Sequence, residues 1–234
     1  REELHKVISG TEFLNNRKDL PDLWKKITKV IYSDKFPELS DVIENLILSN
    51  YLPTAKNHYN EDVVVSIVIH ELSDDLTIEY TQTIEYFAVL DPENNNSSVA
   101  FSNNITDDPS VIEENELITF TIDGDEHKEN GIIIDDSDEG KKRFKIEVPI
   151  SGKKRFKVSF TTKHKYSLKG ENYKLLRFNT ITKNVDITVF FNEDKMQVSF
   201  FNIGLVNEFK PIHKNVKNQI SRRHRDDIIL PRQG

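Results

Sequence analysis

Four cations carry the clearest chemical signal in this chain. The phrase Gly-Lys-Lys-Arg-Phe-Lys occurs twice, at 140–145 and 152–157. Each copy runs into alternating apolar residues, Phe144, Ile146, Val148 and Ile150, then Phe156, Val158 and Phe160. Period-two alternation marks a half-buried strand. With the phenylalanines turned inward, Arg143, Lys145, Arg155 and Lys157 turn outward. Ser151-Gly152 between the runs predicts the turn of an antiparallel hairpin. Two such strands side by side place four cations on one rigid face. Arginine offers a planar fork that fits phosphate, and lysine adds a point charge. The chemistry expected there is binding of a small anionic ligand such as a cyclic nucleotide. Nucleic acid is disfavoured, because no aromatic interleaves with the outward cations to stack a base.

Charge is segregated along the chain. Asp107 to Glu139 holds thirteen acids and one base, Lys128, whereas Lys141 to Lys169 holds eleven bases and one acid, Glu147. Lys210 to Arg225 is again basic without an acid. Such blocks suit an anion site. They equally suit solvated strand faces that discourage aggregation, or pairing with the acidic block next door.

Other chemistry is thinly supplied. Asp135, Asp136 and Asp138 fall in a stretch that resembles the start of a calcium loop, but Ile146 and Glu147 stand where the closing bidentate glutamate belongs. The acidic turn Asp123-Gly-Asp-Glu126 is the other oxygen-rich stretch. The seven histidines have no metal-ligand spacing, and His70, beside Glu71, lacks the partner that a base needs. Walker, Rossmann, His-Glu-x-x-His and Gly-x-Ser-x-Gly patterns are absent. No cofactor is expected. With no cysteine, disulfides, thiolate zinc sites and cysteine nucleophiles are excluded. Sequons begin at Asn95, Asn96 and Asn104, and without a secretion signal they read as chance.

The elements that must position these residues are mostly strands. Val63–Leu72 and Leu76–Leu90 are dense β-branched and alternating runs, with Asp74-Asp75 as the turn between them. Asp91 to Asp108 reads as a polar loop anchored by Val99-Ala-Phe101. Leu117–Ile122, Gly131–Ile134, Arg177–Ile181, Val185–Phe191, Met196–Phe201 and Ile228–Leu230 complete the expected strands. The count of about eight to ten at regular spacing predicts a mainly β fold, an antiparallel sandwich or barrel. Two amphipathic helices precede it. Asp19 caps the first, with Pro21 in its first turn and Leu20, Leu23, Trp24, Ile27, Val30 and Ile31 on one stripe. The second starts near Pro37 and stops at Tyr51-Leu-Pro53. Both are expected to pack their stripes on the sheet or on each other. The expected division is 1–60 helical and 61–234 β-rich, the latter in sub-sheets 61–122 and 123–234.

Net charge is −7 over 234 residues, which disfavours whole-protein affinity for nucleic acid. No apolar run is long enough to span a bilayer as a helix. The chain begins at Arg1, and a preceding segment, targeting or membrane-embedded, is expected. The layout of Asp-Leu-Trp24, Phe36-Pro-Glu-Leu39, many strands and the closing Ile228-Ile-Leu-Pro-Arg-Gln-Gly234 resembles the β-rich soluble part of bacterial two-transmembrane-helix proteins, among them effectors of nucleotide-signalling antiphage defence. That resemblance implies a ligand-sensing β domain without enzyme activity, placed in the cytoplasm as the soluble part of an inner-membrane protein.

The resulting expectation is a non-catalytic sensor whose ligand shifts an equilibrium between assembly states, including a homo-oligomer. Three rivals stand beside it. One is an interaction or self-assembly module driven by the acidic and basic blocks. The second is a secreted β-sandwich with calcium-ordered loops. The third is a hydrolase whose scattered site forms only on folding.

Overall fold

A computed structural model describes residues 19–33, 35–39, 41–42, 57–93, 96–105, 114–136, 141–169, 172–205, 207–212 and 216–231. The chain divides into two units, Arg1–Ala55 and Lys56–Gly234. In the first unit, helix α1 spans Leu20–Ser33. Asp19 stands at its N-cap, and its carbonyl accepts the Leu23 N–H at 2.9 Å. Ser33 Oγ donates to the Val30 carbonyl and closes the last turn. A 3-10 turn follows at Pro37–Leu39. Lys29 pairs with Asp41 at 2.6 Å, an exposed pair that holds the Asp41 carboxyl below its usual range. Of the stripe, Trp24, Ile27 and Ile31 are each about half exposed. The body of the second expected helix lies outside the described residues.

The second unit is mainly β. Its strands are β1 His58–Leu72, β2 Thr77–Leu90, β3 Asn96–Ile105, β4 Glu114–Ile122, β5 Asp125–Glu126, β6 Ile132–Asp136, β7 Lys141–Ser151, β8 Arg155–Ser167, β9 Thr182–Phe190, β10 Lys210–Pro211 and β11 Gln219–Ile229. They form an eight-stranded sheet in the order β10-β11-β9-β1-β2-β8-β4-β5 and a three-stranded sheet in the order β3-β7-β6. Neither sheet closes into a barrel. The large sheet is mixed rather than antiparallel, because β1 and β9 run parallel. The expected sub-sheets 61–122 and 123–234 are not found, since β3 leaves for the small sheet while β8, β9 and β11 join the large one. Among the described residues no helix is long and apolar enough to cross a membrane.

Turn chemistry fixes the links that join neighbouring strands. Asp123 and Gly124 both take positive φ, 53° and 95°, as a two-residue hairpin between β4 and β5 requires. Gly131 has a steric reason instead: a Cβ there would overlap the Phe144 ring. Asp75 accepts from Ser73 Oγ and the Thr77 N–H and holds the β1–β2 turn.

Both sheets feed one apolar cluster. Ala88, Leu90, Val99, Phe120, Ile146, Ile150, Phe156 and Val158 are buried in it. Phe101 of the small sheet meets Phe160 of the large one, ring centroids 5.1 Å apart, and Phe120 at 6.3 Å. A second cluster lies farther along the large sheet, around Val63, Val65, Ile67, Ile78, Val185, Ile187 and Phe209. Truncating Phe120, which is fully buried, to alanine should cost about 3–5 kcal/mol of unfolding free energy. The same change at exposed Ile133 should stay within about 0.5 kcal/mol. Denaturant unfolding of the two variants checks the difference.

Candidate functional site

The expected hairpin does not form. β7 pairs with β3 and β6, and β8 pairs with β2 and β4. The alternation itself is present: Phe156 is buried, Phe144 packs against the same cluster, and the cations lie on the reverse faces. Because the two strands enter that cluster from different sheets, Arg143 and Lys145 do not share a face with Arg155 and Lys157. Acids also accompany the cations. Lys145 pairs with Glu147 at 2.8 Å, Lys157 with Glu85 at 3.5 Å, and Arg155 with Asp62 at 2.7 Å and Glu61 at 3.3 Å. Arg155 further stacks on Phe87, 3.8 Å from the ring centroid, so an aromatic does meet an outward cation across the strand.

Asp138 of the calcium alternative lies outside the described residues. The backbones of Asp135 and Asp136 stand in β6, opposite Lys142 and Lys141 of β7. Among the described residues no group of His, Asp and Glu is placed to hold a metal ion. His70 Nε2 sits 2.7 Å from the Thr81 hydroxyl.

A different site emerges over the second cluster. β8 and β9 run in the same direction, since β8 is antiparallel to β2, β2 is antiparallel to β1, and β1 is parallel to β9. A connection between parallel strands must recross the sheet and needs a dozen or more residues. Among the described residues of the connection, 168–169 and 172–181, there is no helix, and Leu168, Leu176 and Phe178 pack down on the sheet. The segment between β9 and β10 follows over the same face. There Met196, Val198 and Phe200 are half buried, while Gln197, Ser199 and Phe201 are exposed. Met196–Phe201 and Arg177–Ile181 are therefore not strands. The first has the alternation of a strand because it lies flat on a sheet, without a ladder partner.

Beneath these segments is a cavity of about 250 Å³. The sheet contributes Ile67, Ile69, Ile78, Tyr80, Ile187 and Val189, and the roof contributes Leu176, Met196, Val198 and Phe200. A bulge between Ile69 and Glu71 shifts the register so that Leu72 also reaches it. Lys174 is the one charged side chain among the described residues that line it. Its ammonium lies 5.6 Å from the Tyr80 ring centroid. Tyr173 and Phe201, each about half exposed, stand among the roof residues that border solvent. Sequence reasoning missed this site. The available signal was apolar alternation in 196–201 on a chain that already had enough strands.

Tyr80 stacks on His164, centroids 4.7 Å apart. His164 Nδ1 lies 2.6 Å from Asn115 Oδ1, and Nε2 lies 2.7 Å from Thr162 Oγ1. An amide oxygen only accepts, so Nδ1 carries the proton and the bare Nε2 accepts from the Thr162 hydroxyl. The order of groups matches a hydroxyl, a base and an orienting amide. Thr162 is 2% exposed, however, and neither it nor His164 lines the cavity. The strip is built for packing, with no path for a substrate to reach the hydroxyl. Beside it, Gln82 Oε1 is buried without a partner among the described residues.

No family model matches this chain, and no curated protein matches it. Solved structures show distant likeness. A candidate protease from Parabacteroides distasonis aligns with 75% of this chain and 36% of its own, at 10% identity and TM-score 0.42. Aminopeptidase A from Legionella pneumophila aligns over 76% and 21%, at 12% identity and TM-score 0.39. An M1 zinc metallopeptidase from Deinococcus radiodurans aligns over 72% and 38%, at 6% identity and TM-score 0.34. The chain thus spans well under half the length of these proteins, and likeness this distant fixes neither its fold nor an activity.

Burial, then the nearby Lys174 charge, lowers the His164 pKa from 6.5 to about 4. The unfolded chain takes up a proton near pH 6.5 that the folded chain refuses until about pH 4. Stability from this group is therefore complete above pH 6.5 and falls as pH drops toward 4. The loss expected by pH 5 is about 2 kcal/mol. Carboxylates such as Glu79 and Glu126, whose pKa values are lowered, stay ionised in that range. Urea unfolding at pH 7 and pH 5 should show the slope in the native chain and lose it in His164→Phe.

Proposed function

We propose that this chain is a non-catalytic binding module, a two-sheet sandwich whose larger sheet and irregular roof hold a small apolar ligand. The observation that carries this reading is the cavity itself. A space of about 250 Å³ walled mostly by isoleucine, leucine, valine, methionine and aromatic side chains, with Asn172, Lys174, Gln197 and Ser199 among its polar lining, is suited to an apolar group. A space of this order takes a small apolar group such as a hexyl chain or one ring.

The sensor mechanism expected from the sequence passes to this site. Among its described residues the roof joins no strand ladder; its ends are tied to the sheet by backbone bonds, from Leu168 N–H to the Leu76 carbonyl and from Asn60 N–H to the Ile181 carbonyl, and its middle packs down through Leu176, Phe178 and Phe200. A ligand that fills the space beneath it stabilises the roofed state over any state in which the roof lifts, and the difference is what a partner could read. The burial of Thr162 and His164 supports a binding role over hydrolysis. The acid–base pairs across the large sheet, such as Lys163 with Glu79 at 2.9 Å, speak against assembly driven by unmatched charge blocks.

Titrating the chain with 1-hexanol while recording methyl NMR spectra tests this. Saturable shifts are expected at Ile67, Ile78, Ile187 and Met196, with the melting temperature rising as hexanol is added. Ile187→Trp, which fills the space, should abolish the shifts. Absence of saturable shifts in the native chain overturns the reading.

A further inference from the structure

We infer that the occupant of this cavity is an apolar side chain carried by an extended acidic peptide, which adds to the roof as a strand along Met196–Phe201. The inference rests on the binding reading above and names the carrier of the apolar group. Three observations converge on it. Residues 196–201 alternate between half buried and exposed, so the segment runs extended with Met196, Val198 and Phe200 toward the sheet. No backbone hydrogen bond joins residues 197–201 to any described residue, so their N–H and C=O groups form an open strand edge. Met196, Val198 and Phe200 all line the cavity, so that edge runs along the apolar space.

A strand added to such an edge pairs its backbone with the open N–H and C=O groups, which supplies affinity. It also turns every second side chain into the space below, which supplies selection. Cross-strand side chains stand about 5 Å apart, so inward residues of the added strand fall beside Met196, Val198 and Phe200, over Ile187 and Val189 of β9. The space there takes one leucine or phenylalanine side chain. The charge of the peptide follows from the surroundings. The described linings of this cavity, and of one of about 80 Å³ that shares Leu176, Ile187 and Phe200 with it, contain no acidic side chain. Arg177 is exposed between Leu176 and Phe178 of the roof, and the Arg222 guanidinium lies 5.8 Å from the Phe200 ring centroid. These two guanidinium groups favour an acidic peptide over a basic one.

Calorimetric titration and amide hydrogen exchange of the full chain test this with a peptide of alternating leucine and threonine, blocked at both termini and carrying aspartate at each end. The peptide should bind, and exchange at residues 197–201 should slow about tenfold or more. The same peptide methylated at every backbone nitrogen should not bind, because it has no N–H to donate. A version with lysine at each end should bind more weakly, and raised salt should narrow that gap. Titration with 1-hexanol separates this inference from the reading beneath it. Hexanol binding without peptide binding, peptide binding without slowed exchange at 197–201, or equal binding of the methylated peptide overturns strand addition and leaves the cavity reading standing. Equal binding of the aspartate and lysine versions overturns the acidic assignment. Binding of neither hexanol nor peptide overturns both readings.

Discussion

The parallel pairing of β1 with β9 is the constraint on which the rest of the larger sheet depends. An all-antiparallel sheet can be wound by tight turns, and its faces then need covering from elsewhere. One parallel pair removes that option. The chain leaves β8 and must travel back along the sheet before it can start β9. In many proteins a helix makes such a crossing. Here the described residues of the crossing, 168–169 and 172–181, hold no helix, and Met196, Phe200, Leu205 and Phe209 lie over the same face afterwards. Irregular chain cannot tile a pleated surface as closely as a helix or a second sheet can. The cavity is the remainder, and its lining is apolar because it is sheet core below and roof core above.

The outward faces obey a related rule. Charge that is segregated in sequence becomes mixed in space, because cross-strand neighbours come from distant parts of the chain. Asp62 stands at a bulge of β1 with φ of 53° and accepts from Asn184 Nδ2 at 2.9 Å and Arg155 at 2.7 Å. Asn184 in β9 also has positive φ, 59°, directly across the parallel pair. The β11 irregularity between His224 and Ile228 falls alongside. Arg225 reaches Asp62 and Asp186 from there, and Arg223 grips Asp186 through two bonds of 2.9 Å. β1 and β11 thus break register at one level, on either side of the positive-φ Asn184 of β9, and the side chains there satisfy one another. Exposed pairs of this kind add little stability individually. Their greater effect is to fix which residue faces which, since a slip of one residue would turn one partner of each pair to the other face of the sheet.

How much of this was legible in the sequence follows from what period-two alternation encodes. It reports that alternate side chains are buried, and it did so correctly for β1, β2, β7, β8 and β9. It does not report the partner. Two adjacent strands with a Ser-Gly turn between them looked like a hairpin, yet the turn at 151–154 passes the chain from one sheet to the other. It does not report a ladder either, so Met196–Phe201 looked like a strand while lying on a face. The converse error was β3. Asn96–Ile105 is rich in Asn and Ser and read as loop, although Val99 and Phe101 pointed inward as expected. Asn96 and Ser102 are exposed at the edge of the small sheet, where β-propensity depends most on context. The cavity needed two things that no local pattern carries, a parallel pair and the path of the crossing.

The polar strip of Asn115, Thr162 and His164 shows why a suggestive order of groups is weak evidence for chemistry. A buried imidazole with both nitrogens bonded is fixed in tautomer and orientation, which catalysis requires and packing specificity requires equally. Access separates the two. A hydroxyl that is 2% exposed between apolar clusters cannot meet a substrate unless β2, β4 and β8 part, and those strands carry the core. The strip instead stands between the two clusters of the large sheet and gives each a polar boundary. A register slip of β8 against β4 would leave the imidazole buried and unpaired, at a cost of about 1–3 kcal/mol. His164 therefore helps to set the register that places Tyr80, and through Tyr80 the wall against which Lys174 rests.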